Sequence, residues 1–158
     1  MKRRHAAAAA ALMLLPVAHG LAGQAYYGVV DSYADGSVTI RTTGHSTGHW
    51  QVDRASHLNG GPSPGDWVYA DVDGSGHVDT LRIEEHPIGH TGVVWQVHGG
   101  TLTVRSGNGL ETWNMVETTT VSGVDRSLFA VGDEVALRGY SNHNLADVRL
   151  IKRGVPLR

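Results

Sequence analysis

A chain of 158 residues with a formal charge of −2 and no cysteine holds one ordinary domain or two very small ones, and it cannot staple itself with disulfides. No Lys/Arg run or stripe supplies the electrostatic footprint that nucleic-acid binding needs, and past the N-terminus no apolar stretch is long enough to cross a bilayer. Its 21 glycines exceed the usual share of about 7% and fall between short runs of Val, Ile, Thr, Tyr and Trp, the pattern of an all-β chain with tight turns.

The N-terminus reads as an export signal. Met1-Lys2-Arg3-Arg4 is a positive n-region, and residues 6–17 are a short apolar h-region. Small residues follow at Ala18, Gly20, Ala22, Gly23 and Ala25. Residues 1–25 are therefore expected to be a cleaved signal peptide, cut after residue 20, 23 or 25. The expected location is the periplasm or the medium of a bacterium, with no transmembrane span in the mature chain. All 15 acidic residues lie beyond this signal and 3 of the 13 Lys and Arg lie within it, which leaves a mature chain about five charges negative.

Five strands are predicted next, at residues 26–32, 37–42, 49–54, 67–72 and 77–84. Alternation supports them: Val38 and Ile40 share one face, as do Val68, Ala70 and Val72. Asp35-Gly36 suits the first hairpin, where positive φ is needed. A second set of five is predicted at 92–97, 101–106, 112–117, 134–139 and 146–152. A long irregular segment separates the third and fourth strands of each set, with one helical turn expected near 126–129.

The second set repeats the first. Gly28-Val29-Val30 returns as Gly92-Val93-Val94, and Ser37-Val38-Thr39-Ile40-Arg41 as Thr101-Leu102-Thr103-Val104-Arg105. Trp50 answers to Trp113, and Gly65-Asp66-Trp67-Val68 to Gly132-Asp133-Glu134-Val135. A repeat fixes architecture before any single residue is interpreted. Five strands with a long third-to-fourth connection is the order of an OB-like barrel. The expected fold is all-β, two tandem five-stranded OB-like barrels at 26–86 and 91–153. The repeated Gly-x-Val, Gly-x-hydrophobic-Thr-hydrophobic and Gly-Asp-x-Val pattern resembles a family of small exported bacterial OB-like domains of unknown function that occur in tandem. That resemblance implies the fold and no catalytic residue.

Functional candidates are residues present in only one repeat. Trp67 and Tyr69 are expected to point outward where repeat two has Glu134 and Ala136, and Trp95 stands where repeat one has Asp31. Exposed aromatics on an OB face can pack between the barrels, or form a stacking surface for a ligand, since OB barrels bind oligosaccharides and single strands on such faces. Two histidine pairs share one spacing, His45 with His49 and His86 with His90. If a loop made either pair converge, imidazole nitrogens could hold a divalent metal ion; as solvated loop residues they would hold nothing. No nucleophile elbow, metalloprotease helix or phosphate-binding glycine loop is present. The sequence-based expectation is an exported, non-enzymatic binding or structural module for an unknown ligand or envelope protein, with a periplasmic divalent-metal-binding protein as the alternative.

Overall fold

The computed structural model describes residues 23–44 and 46–155. Most of the expected signal segment lies outside them. Repeat one contributes β1 (Gln24–Ala34), β2 (Ser37–Thr42), β3 (Thr47–Gln51), β4 (His57–Leu58), β5 (Trp67–Val72) and β6 (Val78–Glu85). Repeat two contributes β7 (Ile88–His98), β8 (Thr101–Ser106), β9 (Gly109–Asn114), β10 (Thr120–Ser122), β11 (Glu134–Gly139) and β12 (Leu145–Lys152). The expected helical turn is a short 3-10 helix at Arg126–Leu128.

The strands form two sheets, ordered β3-β2-β1-β5-β6-β4 and β10-β12-β11-β7-β8-β9, so the second is the first again, strand for strand. In each, three strands meander, the first also pairs with the fourth long strand, and that one pairs with the last. Each curled sheet is drawn closed by one parallel bridge, Gln51 to His77 and Asn114 to Asn144. There the Gln51 N–H donates to the Gly76 carbonyl at 3.1 Å and the Asn114 N–H to the His143 carbonyl at 2.8 Å. The protein is all-β, with two OB-like units in tandem.

Several boundaries differ from the sequence reading. Each sheet gains a sixth, very short strand, β4 or β10, lying parallel to the last strand. Strands of two and three residues are too brief to show alternation. They are held by a hydroxyl instead: Ser56 Oγ donates to the Val78 carbonyl at 2.6 Å, and Thr119 Oγ1 to the Leu145 carbonyl at 2.7 Å. The second repeat begins at Ile88, not 91, so the linker is only His86-Pro87. The first strand begins at Gln24, and Gln24 and Ala25 already pair with Val72 and Asp71.

The alternation places Val38, Ile40, Val68, Ala70 and Val72 inside barrel one, where they meet Val30, Val52, Val78 and Leu81. Leu102, Val104, Val135, Leu137 and Val148 do the same in barrel two. Trp50 packs against the first core and Trp113 within the second. The repeated glycine that opens the motif has a steric cause. A Cβ on Gly28 would lie 2.1 Å from the Arg41 carbonyl oxygen, and one on Gly92 would lie 2.4 Å from that of Arg105. Only glycine lets the first strand press so close to the second.

Candidate functional site

Comparing the repeats residue by residue shows what the one-sided candidates do. Asp31 and Trp95 are equivalent β-bulge residues, each skipped in the pairing of the first strand with the second. In repeat one, Arg41 Nε donates to Asp31 Oδ1 at 2.7 Å. In repeat two, the equivalent Arg105 lies over the Trp95 ring at 3.9 Å. An ion pair has become a cation–π contact at one conserved place in the fold.

His90 occupies the position of Tyr26. Tyr26 packs its ring on Trp50 with centroids 4.6 Å apart, and His90 packs on Trp113 at 4.9 Å. His90 is therefore on β7, not in a linker loop. His49 stands on β3 opposite Thr39, not in a loop, and its Nδ1 lies 2.9 Å from the Thr39 hydroxyl. The equivalent pair in repeat two is Thr103 and Thr112, also 2.9 Å apart.

His86 has the most telling counterpart. Asp66 and Asp133 are the buried carboxylates of the repeated Gly-Asp motif. Each accepts a backbone N–H from its own loop: Ser63 donates to Asp66 at 2.8 Å and Ala130 to Asp133 at 2.9 Å. Each also meets a side-chain nitrogen just past the last strand. Arg153 NH1 reaches Asp133 at 3.0 Å, and His86 Nδ1 reaches Asp66 at 2.8 Å. Burial pushes the Asp133 carboxyl up, but the N–H donors of Gly154 and Ala130 and the Arg153 charge outweigh it and hold it below the ordinary value.

His86 and His90 thus face different carboxylates, Asp66 and Glu111. His45 lies outside the described residues, so the first pair has no described geometry. Among the described residues, Asp73, His77 and Asp79 bring ligand atoms within 4.8 Å of one another, and none of the four expected histidines belongs to that group. Asp73 is engaged in its own turn, accepting from Ser75 Oγ at 2.7 Å and from the His77 N–H at 2.9 Å. The Ser75 hydroxyl bond first, then the His77 N–H, lowers its pKa. His77 Nε2 lies 2.9 Å from Asp53 Oδ2, though not aligned as a hydrogen bond.

Trp67 turns outward onto the second barrel. Val29, Tyr140 and Ala146 form a small apolar cluster between the barrels, and Trp67 packs against it. The Trp67 and Tyr140 rings meet edge-on with centroids 6.2 Å apart. Three polar bonds surround the cluster. The Tyr140 hydroxyl donates to the Gly65 carbonyl at 2.6 Å, Arg138 NH1 to the Pro64 carbonyl at 3.1 Å, and the Ser141 N–H to Glu85 Oε1 at 2.5 Å. Burial pushes the Tyr140 hydroxyl far above the usual phenol range. Tyr69 lies elsewhere on this outer face, beside Tyr27 at 5.2 Å and under Arg82. Among the described residues no ring contact joins Trp95 to Trp67 or Tyr69, so the three aromatics do not make one stacking platform.

A cleft of about 510 Å³ opens beside this joint. Trp67, Thr43 and Glu85 line it from repeat one; Thr118, Tyr140, Asn142 and Asn144 line it from repeat two, with Val116 and Glu117. Among the described residues no Lys, Arg or His lines it. Asn142 Oδ1 accepts the Asn144 N–H at 2.9 Å, and Asn142 is exposed. A larger groove of about 710 Å³ also borders the joint; in it Arg41 pairs with Asp31 and Arg138 with Asp147, and Arg149 lines it too. The sequence could not reveal the cleft, because most of its lining comes from the connecting segments of repeat two.

No family model matches the chain, and no curated protein matches it significantly. Among solved structures the chain is similar to drosophila Unr CSD456, with 11% sequence identity and a TM-score of 0.36, over 85% of this chain and 64% of that one. The chain thus spans less than two thirds of that structure's length. A likeness at this level carries no argument about function, and the OB-like reading rests on the strand pairing above.

Proposed function

We propose that this protein is an exported, non-enzymatic binding module, periplasmic or secreted after signal cleavage, and that the cleft between its barrels takes a neutral glycan. The observation that supports this most is the composition of the cleft: one partly exposed indole, two asparagines, two threonines and two carboxylates, with no cationic side chain among the described residues. An anionic ligand would meet those carboxylates there. A purely apolar ligand would bury amides and hydroxyls without partners. A sugar offers an apolar ring face for Trp67 and hydroxyls for the amides and carboxylates, the mixture of one aromatic wall and a few placed polar groups that small-molecule sites use.

The test is calorimetric titration of the chain from Leu21 to Arg158 with a β-1,4-linked N-acetylglucosamine tetramer. The expected result is saturable binding that is weakened in Asn142→Ala and Thr118→Val while their melting temperatures stay close to wild type. Absence of binding to this tetramer and to a panel of envelope glycans overturns the reading. So does tighter binding of spermidine, which would make the carboxylates a cation site.

A further inference from the structure

At most positions the repeats exchange residues yet keep the interaction. At the inter-barrel joint they do not. Repeat two docks with Arg138, Tyr140, Ser141 and Ala146, and repeat one receives it with Val29, the Pro64-Gly65 carbonyls, Trp67 and Glu85. This joint joins two different faces, so it is head-to-tail. A head-to-tail contact between like units continues into a filament unless something ends it. The corresponding docking face of repeat one has no partner among the described residues, and the corresponding receiving face of repeat two meets only the chain's own Gly154, which packs on Gly132.

Strand register identifies their residues. On the docking face, Asp71, Asp73, Gly74 and Asp79 stand where repeat two has Arg138, Tyr140, Ser141 and Ala146. On the receiving face, Val93, Val131, Gly132, Glu134 and Lys152 stand where repeat one has Val29, Pro64, Gly65, Trp67 and Glu85. Exposure follows: Val29 is 0% exposed and Val93 is 43%. Ala146 is buried and Asp79 is exposed.

We infer that these two faces are chemically closed against a second copy of this chain. Set in the geometry of the joint, Asp73 of one molecule would face Glu134 of another, where Tyr140 faces Trp67. Two carboxylates would be desolvated side by side, at a cost no apolar contact there offsets. Asp71 would bring a carboxylate to the Val131 carbonyl, where Arg138 brings a donor. Lys152 would meet the Gly74 N–H, donor against donor, where Glu85 accepts. Asp79 would place a charge on Val93, where Ala146 packs. Each of these contacts is reversed, so the joint is not repeated between copies of this chain. The Asp73, His77 and Asp79 group is then the uncovered form of the turn that carries Tyr140, Asn144 and Ala146.

The experiment opens one face at a time, in two chains from Leu21 to Arg158. One carries Glu134→Trp and Lys152→Glu; the other carries Asp71→Arg, Asp73→Tyr and Asp79→Ala. Sedimentation should show wild type and each variant alone as monomers, and a 1:1 mixture as a heterodimer of doubled mass. Disrupting the new contact with Asp79→Arg in place of Asp79→Ala should return the mixture to monomer. Should a multiple variant fail to fold by circular dichroism, the pair Glu134→Trp and Asp73→Tyr is mixed instead. Folded variants that never pair overturn the inference. Self-association of wild type, or of either variant alone, overturns it equally.

Discussion

The Tyr140 hydroxyl of repeat two donates to the Gly65 carbonyl of repeat one at 2.6 Å, and both groups are buried. Gly65 sits in the left-handed region at φ +97°, which turns that carbonyl outward from barrel one. One bond thus ties the receiving loop of one barrel to the docking turn of the other. Tyr140→Phe should leave the Gly65 carbonyl unpaired and cost about 1–2 kcal/mol. Chemical denaturation read separately at Trp67 and Trp113 should then show the two barrels losing cooperativity. Coincident transitions in the variant, at wild-type midpoint, would contradict this.

Asp133 gives a pH signature. Its folded carboxyl is held below the ordinary value. It therefore contributes stability that is fully present above the ordinary carboxylate range and is lost as pH falls through the folded value. Asp133→Asn should lower stability by about 2–3 kcal/mol near neutral pH. The gap between wild type and variant should shrink below about pH 4, where the unfolded carboxyl protonates as well. Thermal melts at pH 7 and pH 3 measure it, and an equal gap at both values would refute the assignment.

His86→Ala removes the partner of the buried Asp66 carboxylate, whose side chain is 3% exposed. A buried acceptor left short of a donor costs about 1–3 kcal/mol. His86→Arg copies the arrangement of repeat two and should keep wild-type stability or better. If both variants melt like wild type, His86 is a solvated linker residue and its equivalence to Arg153 has no energetic content.

Gly92→Ala should destabilise by at least the ~1–3 kcal/mol of an overpacked site, because the new methyl meets backbone that cannot rotate away. Gly89→Ala, with open space around its Cβ, is the control and should be nearly neutral. Equal melting temperatures would show that β7 and β8 can separate at no cost.

Titration with Zn²⁺ or Ni²⁺ should give weak heats that do not saturate. His49, His86 and His90 already serve as counterparts of Thr112, Arg153 and Tyr26. A stoichiometric site abolished by His77→Ala would instead make Asp73, His77 and Asp79 a metal centre.

Much of the fold was legible because the repeat writes each barrel twice. Val68, Ala70 and Val72 alternate inward as their spacing implies, and Gly28 and Gly92 sit at the same close crossing. The site was far less legible. Residues found in only one repeat looked functional, yet His49, His86, His90 and Trp95 each preserve an interaction that the other repeat makes with a different side chain. Chemistry is exchanged while geometry stays, and a linear sequence displays only the exchange. Trp67 was visible as an outward aromatic, but Asn142 and Thr118 were not. Their place in the cleft comes from how the second barrel docks, which depends on Tyr140, Arg138 and Ser141 meeting carbonyls and a carboxylate more than fifty residues away.

Ligand entry into the cleft between the barrels is tested by a ¹H–¹⁵N correlation titration of the chain from Leu21 with the β-1,4-linked N-acetylglucosamine tetramer. Saturable shifts are expected in the Trp67 indole N–H and the Asn142 and Asn144 side-chain amides, while the Trp95 indole stays still. No shift at the joint, or shifts centred on Trp95 and Tyr69, would contradict it.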